Sequence, residues 1–144
     1  MKNNHLIELQ PNKSPFLYLE NLVEVVPNKK VINEYYLDND LWFFKCHWEN
    51  DPNMPAMLQL EAMSQTSSMC LFALDEPPKK LYLVSVDKAS FRKKIIPKMK
   101  IEITSIFLEK VNNIYEFKSV IREKQTRNLI SKCFLKLLWP KSDN

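Results

Sequence analysis

FFKCHWENDPNMPAMLQLEAMSQTSSMCLFAL (43–74) decides the fold reading, because its character changes halfway along. Its first half is aromatic and then turn-forming, with ENDPN at 49–53 supplying Asn, Asp and Pro. From Pro55 to about Leu74 the residues are unbranched, rich in Ala, Met and Leu, and uninterrupted by proline. Pro55 suits a first helical turn, where its fixed φ and missing N–H cost nothing. This reads as one long helix. Its apolar residues Leu58, Ala62, Met63, Met69, Cys70 and Phe72 cover more than a narrow stripe, and Ser64, Thr66, Ser67 and Ser68 break its middle. Such a helix is expected to be buried on several sides.

Outward from the helix the pattern is extended. VINEYYL (31–37) and LWFFKCHW (41–48) are β-branched and aromatic between turn signals, and both predict strands. PFLYLENLVEVV (15–26) is either a short helix or a turn running into a strand. After the prolines at 77–78, LYLVSVD (81–87), KIEITSIFLEK (100–110), NIYEFKSVIRE (113–123) and NLISKCFLKLLW (128–139) predict four more strands. Strands, one helix and then an antiparallel meander define an α+β class, with a single helix on one face of a curved sheet. The chain contains no glycine. Turns at 27–30, 37–40, 49–53 and 111–113 are therefore expected to lean on asparagine, aspartate or longer loops. The same absence removes a Gly-rich phosphate loop and a dinucleotide fingerprint.

At 144 residues and 17.1 kDa the expectation is one domain over 1–144. No apolar run is long enough to span a bilayer, and MKNNHLIELQ has no apolar core followed by a cleavage site, so a cytoplasmic location without membrane insertion is expected. Cys46, Cys70 and Cys133 are odd in number and lack zinc-ligand spacing, which argues for reduced thiols and no metal. The net charge of +4 is modest, and no zinc-finger, RNP-like or P-loop motif accompanies it; nucleic acid is not an expected partner. Of the two histidines, His5 lies in a polar N-terminal stretch expected to fray. That leaves His47 for proton transfer near neutral pH.

His47 and Glu61 stand fourteen positions apart, the first in a turn-rich loop and the second on the following helix. The segment resembles that of the FabZ-type 3-hydroxyacyl dehydratases, where G-H-F-P-G and x-P-x-M-P-G lead to a helix bearing L-x-x-E-A-M-x-Q. Phe43, Phe44, His47, Pro52, Met54, Pro55, Leu58, Glu61, Ala62, Met63 and Gln65 take the matching positions. The stretches at 14–30 and 86–103 resemble the family's PFLLVDRV…PGK and IDKARFRRPVVPGD segments, so the likeness spans roughly residues 14–138.

The resemblance implies a hotdog fold, six antiparallel strands wrapped around a long central helix, assembled as a homodimer or trimer of dimers with sites at the subunit interface. It implies elimination of water from a (3R)-3-hydroxyacyl thioester on acyl carrier protein, with His47 as the base at C2. Glu61 from the partner subunit would act as the acid, assisted by Gln65 at i+4, and the Ala56 N–H at the helix start would stabilise the thioester oxygen. Lys88, Arg92, Lys93 and Lys94, with Lys98, would meet the acidic carrier. No metal or cofactor is implied. Cys46, Glu49, Asn50 and Ala56 depart from the family's Gly, Pro, Gly and Gly. Asn50 is expected to take over a positive φ, and Glu49 to place a carboxylate near His47. Those departures keep two other readings in view, a non-catalytic acyl-binding subunit and a hotdog thioesterase.

Overall fold

The computed structural model describes residues 2–141. Six strands, β1 (Asn21–Val26), β2 (Lys30–Tyr36), β3 (Tyr82–Phe91), β4 (Lys100–Val111), β5 (Ile114–Glu123) and β6 (Leu129–Leu138), flank one α-helix, α1 (Ala56–Phe72). They form a single antiparallel sheet in the order β1-β2-β4-β5-β6-β3. Alternation decides which side of each strand meets the helix. Ile101, Ile103 and Ser105 of β4, Tyr115, Phe117, Ser119 and Ile121 of β5, and Cys133, Leu135 and Leu137 of β6 are all buried. Every residue of α1 from Ala62 to Phe72 is buried too, as its broad apolar surface led one to expect.

Ser67 and Ser68 in the middle of that helix have partners. Ser67 Oγ donates to Ser105 Oγ at 2.8 Å and lies 2.8 Å from the Met63 carbonyl oxygen, while the Ser105 and Ser119 hydroxyls are 2.9 Å apart. All three serines are fully buried. This ladder fixes the rotation of α1 over β4 and β5, and hence the direction in which Glu61 and Gln65 point. Ser105→Ala severs both side-chain links; Ser67 keeps the Met63 carbonyl, but the buried Ser119 hydroxyl loses its partner, so the change is expected to cost about 1–3 kcal/mol. Urea unfolding of the variant against the parent measures this.

Three expectations are corrected. Residues 41–48 form no strand. Trp42–Lys45 is a 3-10 turn in which Phe43 and Phe44 drop into the core, Phe43 against Tyr18 and Phe44; the aromatic residues are core anchors rather than a ladder. The sixth strand is instead β1, the second half of the ambiguous 15–26 stretch. The N-terminal stretch does not fray. Asn4–Leu9 is a 3-10 helix pinned by Asn4 Oδ1, which accepts from the Leu22 N–H at 2.8 Å, and by buried Gln10. His5 is exposed on it. Finally, asparagine carries only some of the left-handed turns. Asn28 and Asn112 have φ of 58° and 56°, but Lys88, Lys98 and Arg127 adopt 52°, 71° and 66°. Among the described residues no helix is long and apolar enough to cross a membrane.

Candidate active site

The loop between Cys46 and Met54 is held at both ends. Trp48 and Asp51 exchange backbone hydrogen bonds of 3.1 Å, Asn53 N–H donates to the His47 carbonyl at 2.8 Å, and Met54 N–H reaches the Ile95 carbonyl at 2.9 Å. Lys94 Nζ grips both oxygens of Asp51 at 2.9 and 2.8 Å. In this frame His47 Nδ1 lies 3.0 Å from the Asn53 carbonyl oxygen. A carbonyl only accepts, so Nδ1 carries the hydrogen and donates, which leaves the Nε2 lone pair free. The Trp48 ring packs on the imidazole with centroids 4.4 Å apart. His47 is half-buried and its orientation is fixed by a backbone group, as a positioned base requires.

The substituted loop residues take no part in that hydrogen-bond pattern. Asn50 is not among the positive-φ residues, so the expectation that it replaces a glycine conformation is corrected: the two-way pairing of Trp48 with Asp51 closes the turn without a left-handed residue there. Glu49 is exposed, and among the described residues no hydrogen bond or ion pair joins it to His47. Cys46 Sγ turns back on the carbonyls of Trp42 and Phe43 at 3.8 and 3.7 Å, away from any pairing with the imidazole.

Met54 ends the loop and Pro55 caps α1. Leu58 and Gln59 N–H groups both donate to the Pro55 carbonyl at 3.0 Å, while among the described residues the Ala56 and Met57 N–H groups have no acceptor, the usual state of a first helical turn. Ala56 is exposed and lines a groove of about 290 Å³ with Asn53, Gln59 and the 91–94 segment. A thioester oxygen placed there would meet free donors and the positive end of the helix.

Glu61 belongs to a different opening. Five residues at 3.6 per turn carry it about 140° round the axis from Ala56, and it lines a cavity of about 200 Å³ with Gln10, Asn12, Ser64, Gln65, Ser68 and Phe72. Gln65 Nε2 donates to Glu61 Oε1 at 3.0 Å. The same carboxamide bonds the Phe16 carbonyl at 3.1 Å and accepts from the Tyr18 N–H at 2.8 Å, so Gln65 ties the carboxylate to the segment leading into β1. Burial holds the Glu61 carboxyl above the usual carboxylate range, with the Gln65 hydrogen bond opposing it. Within one chain Ala56 and Glu61 therefore line separate openings, and His47 lines neither.

Lys88 within β3 and the basic residues after it are exposed but not equivalent. Lys93 pairs with Glu123 at 2.6 Å and Lys94 with Asp51 at 2.8 Å. Lys88 lies 5.8 Å above the Phe134 ring, and among the described residues neither Lys88 nor Arg92 has an ion-pair partner. Sequence reasoning did not single out Asn53, whose carbonyl sets the His47 tautomer. It stood in the ENDPN turn and gave no signal beyond turn propensity.

A six-stranded antiparallel sheet packed around one central helix, with its polar groups in the loop before the helix and on its second turn, defines a hotdog domain. Residues 10–125 match the FabA-like domain. The chain is 33% identical over 104 residues to a 3-hydroxyacyl-[acyl-carrier-protein] dehydratase FabZ of Clostridium novyi, covering 69% of this chain and 73% of that one. The chain thus belongs to the FabA-like domain family, among relatives of the FabZ dehydratases. Solved structures show the same fold at low identity. The dehydratase heterocomplex ApeI:P of Xenorhabdus doucetiae matches with a TM-score of 0.80, 14% identity and coverage of 95% of this chain and 91% of that one. Zebra fish thioesterase superfamily member 2 matches with a TM-score of 0.73, 12% identity and coverage of 96% and 94%.

Proposed function

We propose that this chain is a dehydratase that removes water from (3R)-3-hydroxyacyl thioesters on acyl carrier protein, giving the trans-2-enoyl thioester, in fatty acid or related lipid biosynthesis in the cytoplasm. The observation that carries this reading is the contrast between two groups. The His47 ring is locked with Nε2 free, and the Glu61 carboxyl sits in a cavity whose burial favours its protonated form. A base and an acid held in different environments are what a β-elimination needs. His47 Nε2 takes the C2 proton while the Ala56 N–H supports the charge growing on the thioester oxygen. Glu61 passes its proton to the C3 hydroxyl, the C3–O bond breaks, and C2=C3 forms as water leaves. The proton on His47 returns to Glu61 before the next turnover.

For the two groups to meet one substrate, two chains must share a site. β3 ends the sheet with an unpaired edge, and it exposes Tyr82, Leu83, Val84 and Val86. A long apolar edge of that kind calls for a cover. Pairing it with β3 of a second copy would continue the sheet and bring Glu61 of one chain toward His47 of the other, as a homodimer or a trimer of dimers. Val84→Asp is expected to give a monomer by light scattering and to abolish turnover. A dimer that persists would remove this edge from the assembly. The carrier would dock beside the groove through Lys88 and Arg92, which have no ion-pair partner among the described residues, more than through Lys93 and Lys94.

The test is incubation with 3-hydroxyacyl and trans-2-enoyl carrier-protein thioesters, followed by mass spectrometry for a change of about 18 Da, one water lost or gained. A change that requires His47 supports the dehydratase. Release of free acid would indicate a thioesterase, and carrier binding with no reaction would indicate a non-catalytic subunit.

A further inference from the structure

We propose that the end of the sheet carrying the β4–β5 hairpin is a docking surface for an anionic lipid bilayer, on which the protein rests without crossing it. Exposed aliphatic side chains stand there among lysines, on an overhang that is braced from below.

β2 pairs with β4 only as far as Ile106, opposite Lys30, whereas β4 runs on to Val111. Residues 107–111 therefore project past the strand beside them, by about 16 Å at about 3.3 Å each. The hairpin is held by the segment after β6: the Trp139 N–H donates to the Asn113 carbonyl at 2.9 Å, and Asn113 Nδ2 donates to the Trp139 carbonyl at 2.7 Å. Val111 is 58% exposed, and Ile106, Leu108 and Val26 are exposed with it. Val26, Lys30 and Ile106 are successive register neighbours, so the two hairpins present these side chains at the same end of the sheet.

Lys110, Lys118, Lys136 and Lys141 surround them. All four are exposed, and among the described residues none has an ion-pair partner. Lys118 stands opposite Ile106, and Lys136 lines one hollow with Val111 and Ile114. The acids beside them are Glu109 and Glu116, together with Glu24, which pairs with Lys30 at 3.0 Å; positive charge is in excess. The register shift at Leu108, with Lys110 beside it, blunts the free edge of β4 against an added strand. A second copy laid on this end would set lysine against lysine. Phosphate headgroups above acyl chains match both the lysines and the aliphatic tips.

The candidate site lies at the other end. The C-terminal turn of α1 reaches the β1–β2 turn, where the Asn28 N–H donates to the Cys70 carbonyl at 3.1 Å, and Ala56 is about 24 Å back along the helix axis. A bilayer at the hairpin leaves the groove at Ala56 open to a carrier arriving from solution.

The experiment sediments the full chain with vesicles of phosphatidylcholine alone, or with about one third phosphatidylglycerol, at about 0.05 M and about 0.5 M salt. Partitioning is expected to be at least about tenfold stronger on the anionic vesicles and to weaken by about as much at high salt. Val111→Asp, and Lys110→Glu combined with Lys136→Glu, are each expected to lower it about tenfold or more, with the circular dichroism spectrum and oligomeric state unchanged because these side chains are exposed. Absent partitioning, equal partitioning on neutral vesicles, or anionic partitioning that both variants retain would overturn the proposal. A change of oligomeric state in Val111→Asp, read by light scattering, would also overturn it, since another copy would then cover the hairpin.

Discussion

His47→Ala is expected to lower dehydration by about 10²–10⁴-fold while the protein stays folded. The imidazole contributes little to the core, being half-buried in a loop that is braced by main-chain bonds at Trp48, Asp51, Asn53 and Met54. Its one side-chain hydrogen bond goes to the Asn53 carbonyl, so its loss frees an acceptor in a partly accessible place. Activity falls because no other group can replace it. His5 lies exposed on the N-terminal 3-10 helix, Cys46 Sγ turns back on main-chain carbonyls, and among the described residues Glu49 makes no hydrogen bond or ion pair with the imidazole. Steady-state rates beside circular dichroism separate the loss of a base from the loss of a fold. A folded variant with parental rates would exclude His47 from the chemistry.

Glu61→Gln is expected to lose activity on a similar scale, about 10²–10⁴-fold, yet to raise stability at neutral pH. The amide is close to isosteric and its oxygen still accepts from Gln65, but it has no proton to transfer. The gain follows from the sign of the linkage. Burial raises the Glu61 pKa in the folded state, so the folded chain holds this proton more tightly than the unfolded one, and the native state loses stability as pH rises through that value. Glutamine never takes on the charge. The melting temperature of the variant should exceed that of the parent at neutral and alkaline pH, and the gap should narrow as pH falls toward the ordinary carboxylate value of about 4.3. A parent as stable as the variant across the whole range would mean that the carboxylate is not desolvated.

Legibility in the sequence varied with the kind of signal each segment carried. The helix was plain because Pro55 starts it and nothing interrupts seventeen helical residues, and the last three strands were plain because their alternation is set by a single buried face. Residues 41–48 misled because aromatic side chains serve a core anchor as well as they serve a strand, and composition does not say which. β1 hid in an ambiguous stretch whose first half begins in a turn and joins no strand. At the candidate site, residue types and spacing pointed to His47 and Glu61 but could not say that Glu61 lines a cavity apart from the groove at Ala56, which depends on the rotation of α1 set by the Ser67, Ser105 and Ser119 hydroxyls. The carbonyl of Asn53 was invisible for a simpler reason: a main-chain acceptor has no residue type.

The central claim is that each reaction centre takes His47 from one chain and Glu61 from another. The direct test is to unfold the His47→Ala and Glu61→Gln variants together, refold the mixture, and assay it beside each variant alone. Random pairing makes half the dimers mixed, and each mixed dimer holds one intact centre, so recovery to about a quarter of parental activity is expected. A mixture as inactive as its separate components, with mixed dimers confirmed by native mass spectrometry, would contradict the shared centre and return both groups to a single chain.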